Sequence, residues 1–467
     1  TARAHYDLAR RYSDASFRQS LSTMSLQDAL DLYSEVLLKI QSHYVSSPNW
    51  GYLIGHGSAN FEVALTDPVF VGQHLNGHSA TAVDRFRRTL RSRSGTSEAQ
   101  ARVTSRHATR QLVSEIAALA RAELGISEAA TVLEFVSGAT NSLDSYSTFL
   151  TPGQLNEVYS QIEGNFVGLG VELKASEGSL LIVKVITGSP AERAGIVAGD
   201  RIVAVDGHTT DELSTDQAAN MLQGKEGTMV QVTAVSPGAK PRVLSVRREQ
   251  VDVPSVDDVR IIDRTYGIGY AKLTCFQKTT SRDLDAALWR LHREGMKSLV
   301  LDLRGNPGGL LTTSVEVVDK FVDRGVIVST KGRSAQEDYV YSAHEPGTWH
   351  VPLVVLIDGE SASASEIFAG AIRDHRRGTI VGARSYGKGS VQGIFPLNSA
   401  GSGLRLTTAK FYSPKGQPYS QVGVQPDLVV HQTARPTEAG AVAASNDAAD
   451  PALDAATDVA RRQIARR

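Results

Sequence analysis

Residues 351–358 read VPLVVLID, apolar at almost every position and closed by an aspartate. A half-covered strand alternates apolar and polar residues. An unbroken run belongs in a strand buried on both faces, as in a parallel sheet flanked by helices. The run KSLVLDLR (297–304) has the same character. Around these two runs, strands and helices alternate from Ile261 onward: YGIGYAKLTCF, TSRDLDAALWRLHREG, KSLVLDLR, the turn GNPGG, LTTSVEVVDKFVDRG, VIVSTKG, VPLVVLID and TIVGARS. That order predicts a layered α/β core over residues 255–432. Open α/β sheets place their sites at the carboxyl ends of strands. Two segments sit there: DLRGNPGG (302–309) and GESASASEIFAG (359–370).

The texture differs elsewhere. Leu26, Leu30, Tyr33, Leu37, Ile40 and Tyr44 follow three- and four-residue steps, one apolar helical stripe, with Ser25 and Asp28 at capping-box spacing. Residues 52–108 mix Gly, His, Asn, Ser and Arg among short apolar runs, and helical pattern returns at RQLVSEIAALARAEL and AATVLEFVSGATNSL. Residues 1–160 are therefore expected to form a mostly helical domain, with about 52–125 resembling an insertion. Residues 166–250 read as a small mixed β module. It has two strands around a Ser-Glu-Gly-Ser turn, a short helix at SPAER, a helix STDQAANMLQG ending on Gly224, and further strands. Beyond Val430 the chain becomes rich in Ala, Asp and Thr, which suggests a linker over 433–450. A short helix then starts at Pro451 with Asp450 as its N-cap.

Composition excludes several classes. The chain has 467 residues, room for several domains, and a net charge of −1, so no global field favours nucleic acid. The basic run RFRRTLRSR (85–93) reads as a solvated helix face or loop. With one cysteine, Cys275, an intrachain disulfide is impossible and cysteine-rich zinc sites are excluded; Cys275 is expected to be a buried, inert thiol. No apolar run approaches the ~20 residues needed to span a bilayer. The chain begins on Thr1 rather than Met, which fits an export signal already removed.

The chemistry turns on Ser361, Ser363 and Ser365. A serine at a strand-to-helix junction sees free backbone N–H groups and the positive end of a helix, both useful to a nucleophile. Ser363 and Glu366 also have capping-box spacing, so the segment alone supports either catalysis or capping. A serine nucleophile needs a base. The chain lacks a Gly-x-Ser-x-Gly elbow, and His375 sits among charged neighbours that suggest a surface. The other candidate is Lys388 in SYGKGSVQG, with glycines on either side. To act at neutral pH, its pKa must fall by roughly 3 units, about 4 kcal/mol, with burial as the usual means. The same residues, GARSYGKG (382–389), nearly match a phosphate-binding P-loop. They lack the final hydroxyl, and the sequence that follows is strand-like. The glycines of GNPGG could expose amides to an oxyanion or simply make a tight turn.

Taken in order, these pieces resemble the C-terminal processing peptidases, or tail-specific proteases. The resemblance rests on LDSYSTFLTP, FVGLGVEL with SPAERAGIVAGDRIVAVDG, VLDLRGNPGG, ESASASEIFAGAIRD, YGKGSVQ and LRLTTAKFYSPKGQPYSQVGVQPDLVV, spanning about 130–432. It implies a multidomain α/β protein with a helical N-terminal domain, a PDZ domain at 166–250 and a ClpP/crotonase-like α/β protease core. It implies a serine endopeptidase in which Ser363 is the nucleophile, Lys388 the base and Gln392 the residue that orients the base. The backbone N–H groups of Ala364 and Gly308 would hold the oxyanion, and Gly168, Leu169, Gly170 and Val171 would receive a peptide carboxylate. No metal or organic cofactor is implied. The partners implied are proteins or peptides with free, apolar C-termini, with an oligomer or adaptor contact through the helical region. An extracytoplasmic location, the bacterial periplasm or cell envelope, is implied by the same family. The other reading on this scaffold is a catalytically silent peptide-binding protein.

Overall fold

The computed structural model describes residues 2–466, apart from 76, 78, 177–178, 212–218, 220, 399–400 and 431–449. Its central sheet has six strands in the order Val256–Asp263, Ile268–Leu273, Ser298–Asp302, Leu353–Ile357, Thr379–Gly382 and Leu428–Val429. The first pair is antiparallel and the other neighbours are parallel. Every residue of Ser298–Asp302 and Leu353–Ile357 is buried. The two faces explain the unbroken apolar runs. Leu299, Leu301, Leu353 and Val355 join a core with Leu284, Val317 and Phe368 from the helices Thr280–Arg293, Leu311–Asp319 and Ala364–Asp374. Val300, Val354 and Leu356 pack on the other side against Ala452, Ala456 and Ala460.

Those alanines belong to the helix Pro451–Ala465, which starts as the sequence suggests: Pro451 is its first residue and Asp450 accepts the Leu453 N–H at 3.0 Å. The helix does more than trail a linker. It closes the sheet's second face, so the core extends beyond residue 432. Arg304, just past the end of a central strand, pins it by bonding Asp450 (2.8 Å) and Asp302 (2.6 Å). The linker expected before it falls mostly in 431–449, outside the described residues.

A second, antiparallel sheet runs Thr148–Leu150, Gly403–Tyr412, Gly325–Gly332, Tyr339–Ala343, with Ser390–Pro396 also paired to Gly403–Tyr412. Leu397, Leu404 and Leu406 from this region share a hydrophobic core with the N-terminal helices. The helix Leu26–His43 has the expected capping box, with Ser25 Oγ accepting the Asp28 N–H at 3.1 Å and the Asp28 carboxylate accepting the Ser25 N–H at 3.2 Å. The stretch 52–108 is helical as well: it holds most of Trp50–Ala64, then Pro68–His74, Ala80–Leu90 and Ser97–Ala101, and Arg106–Leu124 begins within it. Trp50–Ala64 and Arg106–Leu124, together with Leu26–His43, pack on Glu128–Asn141, which is buried from Ala129 to Thr140. Their contact was hard to read because glycine makes it. A Cβ on Gly57 would lie 2.4 Å from the Phe135 ring, and one on Gly138 would lie 2.6 Å from the His56 carbonyl and 2.7 Å from Gly57 Cα. Main chain meets main chain there, which leaves no apolar stripe to find.

The β module has a six-stranded antiparallel sheet whose main path is Val171–Ser176, Ser179–Val185, Arg201–Val205, Met229–Val235 and Arg242–Arg247; His208–Thr209 adds a short strand to Arg201–Val205. The Glu-Gly at the centre of its first turn and most of the helix expected before Gly224 lie outside the described residues. The basic run 85–93 lies on a helix and the turn after it, where Arg87 pairs with Asp84, Arg91 with Glu62 and Arg93 with Glu115. That is the solvated face expected. Among the described residues, no helix is long and apolar enough to cross a membrane.

Gly138→Ala should lower the urea midpoint of unfolding, with a loss of ~1–3 kcal/mol, because backbone cannot move aside as a flexible side chain can. An unchanged midpoint would show that the two helices have room between them.

Candidate active site

The strand Leu353–Ile357 ends at Asp358, whose Oδ1 accepts the N–H groups of Gly305, Glu360 and Ser361, each at 3.0 Å. The chain then turns sharply into the helix Ala364–Asp374. Ser363 sits at that corner with φ 57° and ψ −113°. A positive φ in a residue other than glycine costs on the order of 1–3 kcal/mol and needs support from its surroundings. The flanking serines supply it. Ser361 Oγ donates to the Leu303 carbonyl at 2.8 Å, and Ser365 Oγ donates to the Asn306 carbonyl at 3.0 Å. Both staple the corner to the loop leaving the neighbouring strand. The three serines are thereby ranked: two are structural, and the middle one sits on a strand–turn–helix elbow built without the usual glycines.

Ser363 is not spent as a helix cap. Its own N–H donates to Glu366 Oε2 at 2.8 Å, while the Glu366 N–H donates to the Ser363 main-chain carbonyl at 2.9 Å. Ser363 and Glu366 thus have the form of a capping box, but the Glu366 N–H goes to the Ser363 main-chain carbonyl, and among the described residues no hydrogen bond joins it to the Ser363 hydroxyl. Glu366 is fully buried and serves a second loop. The same Oε2 accepts the Lys388 N–H at 2.9 Å, and Oε1 accepts Ser385 Oγ at 2.6 Å and the Gly387 N–H at 2.7 Å. One carboxylate oxygen therefore holds the amides of Ser363 and Lys388 side by side.

Lys388 is half-buried. Loss of hydration pushes its amine below the usual lysine value, and the nearby Arg405 charge adds to this; Glu366 and Asp144 act in the opposite direction. Its Nζ lies 4.9 Å from the centre of the Tyr146 ring. The flanking glycines let the loop pass close to 420–421: a Cβ on Gly389 would lie 2.2 Å from Ser420 N, and Gly387 has φ 92° with Gln421 3.2 Å from its Cβ position. A strand, Ser390–Pro396, follows the lysine. A P-loop must open a helix, so the nucleotide reading fails.

Gln392 follows a bulge in the pairing of that strand with Gly403–Tyr412. Its amide nitrogen donates to Ser390 Oγ (2.9 Å) and to the Ser390 carbonyl (3.2 Å); none of its hydrogen bonds reaches Lys388. Gly308 is the glycine expected to serve the oxyanion. Gly308 does pack against the elbow, where an added Cβ would lie 2.7 Å from the Ala362 carbonyl, 2.8 Å from Ser363 Cβ and 2.9 Å from Ala364 N. Its N–H, however, donates to Asn306 Oδ1 at 2.9 Å. Asn306 is itself buried and anchored to the Leu273 carbonyl, so the turn's own side chain takes the amide. Among the described residues, the Ala364 and Gly309 amides have no partner.

This arrangement can be set beside known proteins. Residues 267–430 match peptidase family S41 and residues 181–235 match the PDZ domain. The carboxy-terminal-processing protease of Bartonella bacilliformis is 39% identical over 304 residues, 64% of this chain and 69% of that relative. The chain belongs to the carboxy-terminal-processing proteases of peptidase family S41. The chloroplastic carboxyl-terminal-processing peptidase 2 of Arabidopsis thaliana is 36% identical over 297 residues, 61% of this chain and 57% of the relative. Among solved structures, a photosystem II D1 C-terminal processing protease aligns over 86% of this chain and 93% of its own, with 27% identity and a TM-score of 0.45.

In this S41 protease the PDZ residues fall on a strand end and the start of the next strand. Gly168 ends the strand Asn165–Gly168 and pairs with Glu249. The carbonyls of Leu169 and Gly170 accept the N–H groups of Ala191 and Ile186 at 2.9 Å each, and Gly170 has φ 83°. Val171 opens the edge strand of the PDZ sheet. His375 lies apart from the serine elbow, at the far end of its helix, with Nε2 2.8 Å from the Val326 carbonyl. Cys275 is half-buried and burial pushes its thiol up, so it is poorly nucleophilic. Sequence reasoning missed Tyr146, whose ring lies 4.9 Å from Lys388 Nζ, and Asp144 and Arg405, which act on the charge of that amine. It saw Glu366 as a helix cap and had no signal for its bonds to the second loop.

Two outcomes follow. Glu366→Gln places an amide N–H₂ where two N–H or O–H donors now point, and should destabilise the fold by about 3 kcal/mol in chemical denaturation; wild-type stability would show that the carboxylate is dispensable. A lysine whose folded pKa is lowered weakens the fold below its unfolded pKa of about 10.4, and the penalty disappears above that value. Lys388→Met should therefore raise the thermal midpoint at pH 7 by about 1–2 °C, and the gain should vanish near pH 10.5. A lower midpoint at pH 7 would contradict the burial account.

Proposed function

We propose that this S41 protease cleaves polypeptides at or near their C-terminal tails through a Ser363–Lys388 dyad. The observation that carries the reading is the single Glu366 oxygen shared by the Ser363 and Lys388 amides. It supports a nucleophile and a base delivered by two loops into one site. In the proposed reaction, Ser363 Oγ attacks the scissile carbonyl carbon while its proton passes to the neutral Lys388 Nζ. The oxyanion is received by the Ala364 N–H at the helix start, with the Gly309 N–H as second donor in place of Gly308. Collapse breaks the C–N bond, and the Lys388 ammonium returns the proton to the leaving amine. Water then attacks the acyl-enzyme with Lys388 again as base.

For tail recognition, the edge strand Val171–Ser176 has one neighbour in its sheet, Ser179–Val185. An open edge suits addition of an extended peptide, with the tail carboxylate at Gly168–Val171. Lys184–Asp257 (2.5 Å) ties the PDZ module to the first strand of the core sheet, a route by which a bound tail would gate cleavage.

The test uses an unstructured protein ending in apolar residues, and the same protein with an amidated C-terminus. Wild type should cleave the first, Ser363→Ala and Lys388→Met should fall by roughly 10³-fold, and amidation should slow wild type. The rate should rise with pH along a limb centred below the ordinary lysine value, since the neutral amine is the active form and its pKa is lowered. Undiminished cleavage by Ser363→Ala would sink the dyad, and indifference to amidation would sink tail capture.

A further inference from the structure

The turn 144–147 is built to an unusual degree for a segment that carries no catalytic residue of the proposed dyad. Asp144 Oδ1 accepts the N–H groups of Tyr146 and Ser147 at 2.7 Å each, and Ser147 Oγ donates to Asp144 Oδ2 at 3.1 Å. The Thr407 N–H donates to Ser147 Oγ at 3.2 Å, and Arg405 Nε donates to the Tyr146 carbonyl at 3.0 Å. Tyr44 of the helical region donates to the Leu143 carbonyl at 2.7 Å. Next along the chain, Thr148–Leu150 pairs with 403–405. The result is a fixed ring face, Tyr146, 4.9 Å from Lys388 Nζ.

We infer that Tyr146 and Arg405 are positioning residues for the base. Tyr146 offers its face to the Lys388 ammonium formed when Ser363 loses its proton. Arg405 holds that ring in place through its hydrogen bond to the Tyr146 carbonyl. The inference rests on the Ser363–Lys388 reading. A ring face attracts the cation and not the neutral amine, so it favours the charged lysine that the proton transfer creates. A neighbouring guanidinium does the reverse in the resting state and keeps the amine ready to accept a proton. The groups facing Lys388 are thus opposed: Arg405 from the strand Gly403–Tyr412 lowers its proton affinity, while Asp144 from the turn and Glu366 from the nucleophile helix raise it. The N-terminal helices thereby gain a part in the chemistry, since their last turn forms one wall of the site.

The full-length protein tests this with paired variants. Steady-state cleavage across pH is combined with pH-dependent acetylation of the Lys388 amine, followed by mass spectrometry in a Ser363→Ala background. Tyr146→Leu should lower kcat about tenfold with KM little changed, and Tyr146→Phe, which keeps the ring, should recover most of the loss. Arg405→Gln should move both the acid limb of the rate profile and the acetylation midpoint up by about one pH unit, and Arg405→Lys should bring them back. Equal losses in Tyr146→Leu and Tyr146→Phe, or an Arg405→Gln midpoint at the wild-type value, would overturn the inference. If Ser363→Ala still cleaves, the dyad reading fails instead, and the acetylation midpoints alone decide whether Arg405 tunes Lys388.

Discussion

The site depends on one buried carboxylate. Glu366 receives four donors, two from main-chain amides at its Oε2 and an amide and a hydroxyl at its Oε1. A charged group without water is costly unless its lone pairs are filled, so each donor is needed by the carboxylate as much as the reverse. This mutual need places the serine elbow and the lysine loop in register, and it leaves the Ser363 hydroxyl unspent. The positive φ of Ser363 is tolerable because Ser361, Ser365 and Glu366 hold the residues on both sides.

The same logic extends outward. The two central strands must be covered on both faces, and the chain uses its last helix for the second face. Arg304 links that helix to the loop before the glycine pair by bonding Asp450 and Asp302, and Asp302 in turn accepts the Tyr270 hydroxyl at 2.8 Å. On the opposite side of the chain order, the helical region delivers Tyr146 to Lys388. The core at 255–432 is thus completed by segments from both ends of the sequence.

Features carried by local pattern were legible. VPLVVLID and KSLVLDLR announced buried parallel strands, Ser25 and Asp28 a capping box, and Asp450-Pro451 a helix start. Features set by tertiary approach were not. The Gly57–Gly138 contact leaves no periodic stripe, and Arg405 and Tyr146 meet Lys388 only after two distant segments pair. Gly308 shows the limit of a motif: the right glycine is beside the nucleophile, yet a neighbouring asparagine in the same turn takes its amide. Burial of Lys388 is not written in its flanking glycines; the structure half-buries the side chain, and desolvation lowers its pKa.

In the proposed dyad, Lys388 activates Ser363 while Glu366 holds the amides of both residues. Reaction with a fluorophosphonate probe measures this directly, since the serine oxygen forms a bond to phosphorus and fluoride leaves. Mapped by mass spectrometry, a single adduct on Ser363 is expected, forming faster as pH rises and lost in Lys388→Met. No adduct on Ser363, or one whose rate is untouched by Lys388→Met, would contradict the account.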